Sequence, residues 1–318
     1  MTHDVVLEIQ AVSHWFGDRK VLFDINLRIV RGEIVGLVGP SGCGKSTLLR
    51  AITGTHLPER GRVVVYSGNS NEDGAAVEGP GRDRGIVYQR YSLFPFLTAQ
   101  QNVAIGPMFD RTNLPYRFFK FPAWRGLRKQ HLEESAELLT RLGLEDAVAR
   151  YPHELSGGMQ QRVAIAQALI MKPEILLLDE PFGALDEATR ESLQVMLLTL
   201  YDENVECKKR GEKPPYTILI VTHELNEALY VGDRIVGLTQ YWDWKEESIE
   251  ASPGATVAYD KMAPVFRPSD PKDTGDFLVQ REEIRRVVFD ATHLQPRGKY
   301  CCFWDQMAAG QGNGVLAT

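Results

Sequence analysis

The chain has 318 residues, 43% hydrophobic and 25% charged, enough for one large α/β unit and a smaller appendage. A net charge of −6 and a pI near 5.7 have the wrong sign for a protein whose main partner is nucleic acid. Apolar runs such as 175–178 and 218–221 have the length of buried strands and fall far short of the roughly 20 residues that span a bilayer.

Met1 to Val5 form neither a basic n-region nor the start of an apolar h-region, so no secretory signal is expected and the protein should stay in the cytosol, where thiols are reduced. Cys43, Cys207, Cys301 and Cys302 lack CxxC spacing, which argues against a zinc site or a disulfide framework.

Residues 5–38 alternate in strand fashion and end in the apolar segment 33–38, which runs into a glycine-rich turn with a helix expected from about Lys45. Further strands are expected within 63–88, around the Gly/Asn/Asp-rich stretch 67–85. Residues 131–143 show helical periodicity through Leu132, Leu138, Leu139 and Leu142, and 158–171 reads as another helix. Buried strands recur at 174–179 and 217–222, each followed by a helical pattern, which is the alternation of a parallel sheet. No internal repeat is visible. Two stretches look inserted: 111–130, with six basic and five aromatic residues and no acid, and the polar 202–215. Beyond Trp244 the pattern loosens into a tail with one helix expected near 276–288.

Gly39, Pro40, Ser41, Gly42, Cys43, Gly44, Lys45, Ser46 and Thr47 fit the phosphate-loop pattern G-x-x-x-x-G-K-[ST], placed between an apolar strand and a helix. Its glycines let backbone N–H groups converge on phosphate oxygens, Lys45 adds a cation and Ser46 a hydroxyl ligand for Mg²⁺. Cys43 takes one of the pattern's unconstrained positions. Asp179 and Glu180 end a buried strand, where a parallel sheet presents groups to a nucleotide. Asp179 suits Mg²⁺, and Glu180 suits a general base that polarises water behind the γ-phosphate.

Leu155, Ser156, Gly157, Gly158, Met159 and Gln160 resemble the signature motif of the ATP-binding cassette family, about 20 residues before the acidic strand as in that family. The resemblance runs from residue 5 to about 240. It implies a P-loop α/β core with a parallel sheet, an antiparallel β subdomain and an inserted helical subdomain (about 90–170, with the insertion at 107–130). These make a nucleotide-binding domain over 1–245, followed by a C-terminal extension over 246–318. It implies that Ser156, Gly157 and Gly158 cradle the nucleotide of a second subunit, that Gln89 is a Q-loop residue beside Mg²⁺, that Asp186 lies in the D-loop, and that His223 is the switch histidine. Phe16 aligns with the aromatic that stacks on adenine, with Trp15 as the neighbouring alternative.

By the same resemblance the chain is an ATP-hydrolysing subunit that uses ATP and Mg²⁺ on the cytoplasmic face of the inner membrane. Its implied partners are membrane-spanning permease subunits, a second copy or close paralogue, and a substrate-binding protein if the system imports. Within the family, residues 79–89, 93–98 and 151–159 look most like importers of nitrate, sulfonates, taurine and related small anions. An exporter or lipid-trafficking cassette and a soluble member of the superfamily are the alternatives. The latter is disfavoured by the single cassette, by the short gap from Gly39 to Leu155 and by the acidic pI.

Overall fold

The computed structural model describes residues 4–68, 74–90, 93–111, 121–183, 185–245, 252–266 and 275–300. Strands β1 (Val5–Phe16) and β2 (Arg19–Val30) form an antiparallel hairpin whose two-residue turn places Gly17 at φ +57°, a conformation that favours glycine. With β4 (Arg60–Tyr66) and β5 (Gly74–Ala76) they make a four-stranded sheet in the order β2-β1-β4-β5.

The second sheet has six strands. Strands β3 (Ile34–Val38), β6 (Arg84–Val87), β7 (Ile175–Asp179), β8 (Ile218–Thr222), β9 (Arg234–Thr239) and β10 (Thr256–Met262) lie in the order β10-β9-β3-β8-β7-β6. All neighbours are parallel except β10 on β9. Parallel strands covered on both faces read as continuous apolar runs, as β3 and β8 do, buried at all five positions.

Alternate side chains of this sheet feed two cores. Val35, Leu37, Ile175, Leu177, Leu219 and Val221 pack with the four-stranded sheet and with α1 (Lys45–Thr53). Ile34, Val38, Leu176, Leu178, Ile218 and Ile220 face the helical side. That side holds α2 (Ala99–Arg111), α3 (Phe121–Arg141), α4 (Gly157–Leu169), α5 (Glu187–Lys209) and α6 (Leu225–Val231), with short 3₁₀ turns at 145–147 and 152–154. This is the expected architecture: a parallel P-loop core, an antiparallel β layer and inserted helices. Among the described residues no helix is long and apolar enough to cross a membrane.

Two boundaries differ from the expectation. Helix α3 starts at Phe121, ten residues before its apolar periodicity becomes legible, because its first turns are a solvated basic run opened by Pro122, whose fixed φ suits a helix start. Of the insertion 107–130, residues 107–111 end α2 and 121–130 begin α3, and 112–120 fall outside the described residues.

Part of the segment read as an extension is built into the core. β10 completes the sheet, and Arg234 on β9, fully buried, pairs with both oxygens of Asp260 on β10 at 2.7 and 2.8 Å. Helix α7 (Gly275–Ile284) runs into a π-helical turn (Arg285–Phe289). Val288 of that turn packs on Gly237, where a Cβ would lie 2.4 Å from it, and its carbonyl accepts from Thr239 Oγ1 at 2.8 Å. The Ser/Pro/Gly/Asp-rich flanks hide the strand pattern of residues 256–262.

Candidate functional site

Strand β3 ends at the loop 39–44, whose glycines are required by close approach and by conformation. A Cβ on Gly39 would lie 2.4 Å from the Leu238 carbonyl oxygen, and Gly44 sits at φ +102° with Leu22 at 2.7 Å from its Cβ position. Gly44 supplies no side-chain cap to α1, and the first turn of that helix carries no acid. The N–H groups at the start of α1 therefore lack intrahelical acceptors and carry the positive end of the helix dipole, a cradle for an anion.

Lys45 is buried and folded over this loop, its Nζ donating to Gly39 O at 2.7 Å and Pro40 O at 3.2 Å. Ser41, Gly42 and Ser46 are exposed along the loop, and Pro40 and Thr47 are half-buried. Cys43 points the other way, into the core, where burial pushes its thiol above the usual range, so it stays protonated.

Three parallel strands bring the next residues to the same edge. Asp179 ends β7, and burial first, then the Glu180 charge, raises its carboxyl above the ordinary value, with Arg50 and Lys45 opposing. Glu180 leaves the strand at φ +48°, a conformation uncommon outside glycine, while its N–H holds Val221 O at 2.8 Å. His223, just past β8, presents Nδ1 to Glu180 Oε2 at 2.8 Å. Gln89, exposed two residues after β6, reaches Gly183 in the loop after Glu180, its Nε2 lying 3.5 Å from where a Cβ would stand.

Phe16, at the end of β1, is 43% exposed and braced edge-on by His14 at 4.6 Å between ring centroids, with His56 at 5.7 Å. Trp15, the alternative stacking residue, faces Arg60, whose guanidinium sits 5.8 Å over its ring. Phe16 thus keeps the open aromatic surface.

A second group forms at the start of α4. Ser156 is its N-cap, with Oγ accepting from Met159 N at 3.3 Å, and Gly157 and Gly158 open the helix. Gly158 touches α5: a Cβ there would lie 1.8 Å from Thr189 Cγ2. Asp186 caps α5, accepting from Thr189 N at 3.0 Å and Thr189 Oγ1 at 2.8 Å, bonds that hold its carboxyl below the ordinary range. No described hydrogen bond joins Ser156 to the loop 39–47. The site therefore has two parts: Lys45, Asp179, Glu180, His223 and Gln89 at one sheet edge, and Ser156 to Gly158 with Asp186 on the helices.

His14, His56, Arg50, Thr189 and the Arg190–Glu227 pair at 3.0 Å were not legible in the sequence. His14 lies two residues from Phe16 on β1, while the Thr189–Gly158, His56–Phe16 and Arg190–Glu227 contacts span a distance in chain that no local pattern encodes.

A strand leading to an uncapped helix over a lysine-bearing glycine loop is a phosphate-binding arrangement, and residues 22–183, half of the chain, match the family model described as ABC transporter. The chain belongs to the ABC transporter family. This ABC protein is 38% identical to an uncharacterised ABC transporter ATP-binding protein, MJ0412 of Methanocaldococcus jannaschii, over 90% of this chain and 92% of the relative. It is 38% identical to the nitrate import ATP-binding protein NrtD of Synechococcus elongatus, over 80% of this chain and 78% of the relative. Identity to the taurine import ATP-binding protein TauB of Escherichia coli O157:H7 is 39%, over 74% and 80%. Among solved structures it resembles a dimeric post-hydrolysis state of the ATP-binding cassette MJ0796 bound to ADP and Pi, with a TM-score of 0.57 and 29% identity over 82% of this chain and all of the other. The ABC protein is an ATPase: it binds ATP and hydrolyses it.

Proposed function

We propose that this ABC ATPase is the energy-coupling subunit of an importer for a small anion of the nitrate, sulfonate or taurine kind, working as a pair on the cytoplasmic face of the inner membrane. Its proposed partners are membrane-spanning permease subunits, a second copy or close paralogue, and a substrate-binding protein outside. The observation that carries the chemistry is the Glu180–His223 pair, set at the same sheet edge as the uncapped helix over Lys45. Similarity to nitrate and taurine import proteins over most of both lengths supports the direction and the cargo class.

In this reading Lys45 exchanges the Gly39 and Pro40 carbonyls for the β/γ-phosphates, and the N–H groups of 42–47 bind phosphate oxygens. Phe16 stacks on adenine. Glu180 draws a proton from the attacking water while His223 holds the carboxylate in place and meets the γ-phosphate. Ser156, Gly157, Gly158 and Asp186 complete the nucleotide site of the partner subunit.

The donor set fits Mg²⁺. Asp179 is a carboxylate whose charge burial disfavours, so a cation would stabilise it, and Ser46 and Gln89 add neutral oxygens. Among the described residues no group of three His, Cys, Asp or Glu side chains could hold a metal ion by itself, so phosphate and water would have to supply the remaining ligands. Bound there, Mg²⁺ would neutralise phosphate charge.

The test is to purify the intact complex and identify its membrane subunit. Homology of that subunit to anion-importer permeases is expected, and an exporter-type partner would overturn the reading. Deleting 112–120, within the basic and aromatic insertion, should leave nucleotide binding intact and weaken assembly with the permease.

A further inference from the structure

A cleft of about 700 Å³ lies on the side of the sheet away from the phosphate loop. Arg31 precedes β3, Glu174 precedes β7 and Tyr216 precedes β8, three strands that run parallel. All three residues line the cleft, so it sits at the N-terminal edge, a five-residue strand or roughly 16 Å from the edge that carries Lys45 and Glu180. Its outer wall comes from α2 and α3, through Pro107, Asp110, Glu137 and Leu138, and its floor from Leu169 to Met171. The volume falls within the range of small-molecule sites.

The buried polar atom left over among the described residues lining this cleft is a donor. Arg31, 6% exposed, gives Nε to Asp4 at 2.8 Å and Nη1 to Glu174 at 2.7 Å, while Nη2 is buried with no hydrogen-bond partner. A smaller cavity adjoins, sharing Arg82 and Met171, and is lined by Arg84, whose side chain is also 6% exposed. Arg84 is not part of this set: its register partner Ile175 faces the four-stranded sheet, and its Nη2 is held by Gly79 O at 2.8 Å and Asp83 at 3.4 Å. A buried N–H left without an acceptor is costly, and an acceptor brought to it is favoured. The acids are engaged: Glu174 with Arg31, Asp110 with Arg82 at 3.1 Å, Glu134 with His131 at 3.3 Å. Glu137 lies exposed at the rim. Lys172, exposed at φ +51°, adds a cation at the mouth.

We propose that this cleft binds a small organic anion, a carboxylate or sulfonate with an apolar body, its acidic group drawn to Arg31 and to Lys172 at the mouth and its body against Leu138, Leu169 and Ile170. The orphaned Arg31 nitrogen is closed over by neighbouring atoms, so the anion displaces side chains between α2–α3 and the sheet as it enters. Because the helices that carry Ser156 pack on the same wall, occupancy alters ATP turnover without competing for the phosphate loop.

The test uses the full chain without nucleotide, titrated at constant ionic strength with octanesulfonate, octanoate and inorganic sulfate. The two organic anions should bind saturably, one per chain, and sulfate at least tenfold more weakly. Lys172→Asn, which keeps a residue tolerant of positive φ, should weaken binding several-fold. Ile170→Trp, which fills the cleft, should abolish it, both variants retaining basal ATPase activity. No saturable binding, sulfate binding as tight as octanesulfonate, or wild-type affinity in both variants would each overturn the proposal. Competition with ATP would place the anion at the phosphate loop and overturn it equally.

Discussion

His223 Nδ1 lies 2.8 Å from Glu180 Oε2, and the His223 backbone N–H approaches the same oxygen at 3.4 Å. Two donors from the end of β8 thus fix a carboxylate from the end of β7, and the left-handed backbone of Glu180 swings it off the strand path. Glutamine keeps an oxygen for both donors but is no base. Glu180→Gln should therefore bind ATP normally and lose turnover by about 10²–10⁴-fold. A wild-type rate by phosphate release would remove Glu180 from the chemistry.

Gly158 is a packing requirement with a functional consequence. Adding a Cβ brings it to 1.8 Å from Thr189 Cγ2, so Gly158→Ala must push α4 away from α5 and displace Ser156. ATPase activity should fall at least tenfold. Thr189→Ser removes that methyl and keeps the hydroxyl that Asp186 accepts, so the double variant should recover most of the activity. If the double variant is no better than Gly158→Ala, steric contact with Thr189 is not the cause.

Glu227, one turn beyond His223, is buried and its carboxyl is pushed up to about 7, by burial above all, with Arg190 opposing. An acid raised in the folded state penalises the folded protein once ionised. Stability from this group is therefore unaffected below about 4.5 and falls as pH rises through about 7. Glu227→Gln should raise the melting temperature at pH 8.5 and leave it nearly unchanged at pH 4, with about 3 kcal/mol as an upper bound. An equal shift at both pH values would mean that packing, not ionisation, decides.

Phe16 has an open ring face and Trp15 is engaged by Arg60. Stacking on a base is worth about 1–3 kcal/mol, so Phe16→Ala should raise the KM for ATP by about 5–150-fold with little change in kcat. Trp15→Ala should leave both nearly unchanged. The reverse pattern would exchange their roles.

The strands, the phosphate loop and the signature were legible because their information is local: apolar runs for β3, β7 and β8, fixed glycine spacing for the loop. What stayed hidden was long-range. The strand at Thr256–Met262 owes its place to Arg234–Asp260, and the start of α3 at Phe121 has no apolar stripe to announce it. Thr189 against Gly158 and His56 against Phe16 depend on how separate elements pack, which one sequence does not encode in any fixed spacing.

Ser156 and Lys45 occupy separate parts of the same chain, so in the proposed reading each ATP is completed by two subunits. The most direct measurement mixes two inactive variants. Lys45→Ala retains its signature, and Ser156→Arg retains its phosphate loop and base, so a mixed dimer rebuilds one complete site while each pure dimer has none. Random pairing gives about a quarter of the wild-type sites, lowered further if the two sites cooperate. ATP hydrolysis should therefore return on mixing, in part, with a steep dependence on protein concentration. If both pure variants are inactive and the mixture stays inactive after subunit exchange is confirmed, catalysis through a shared site is wrong for this protein.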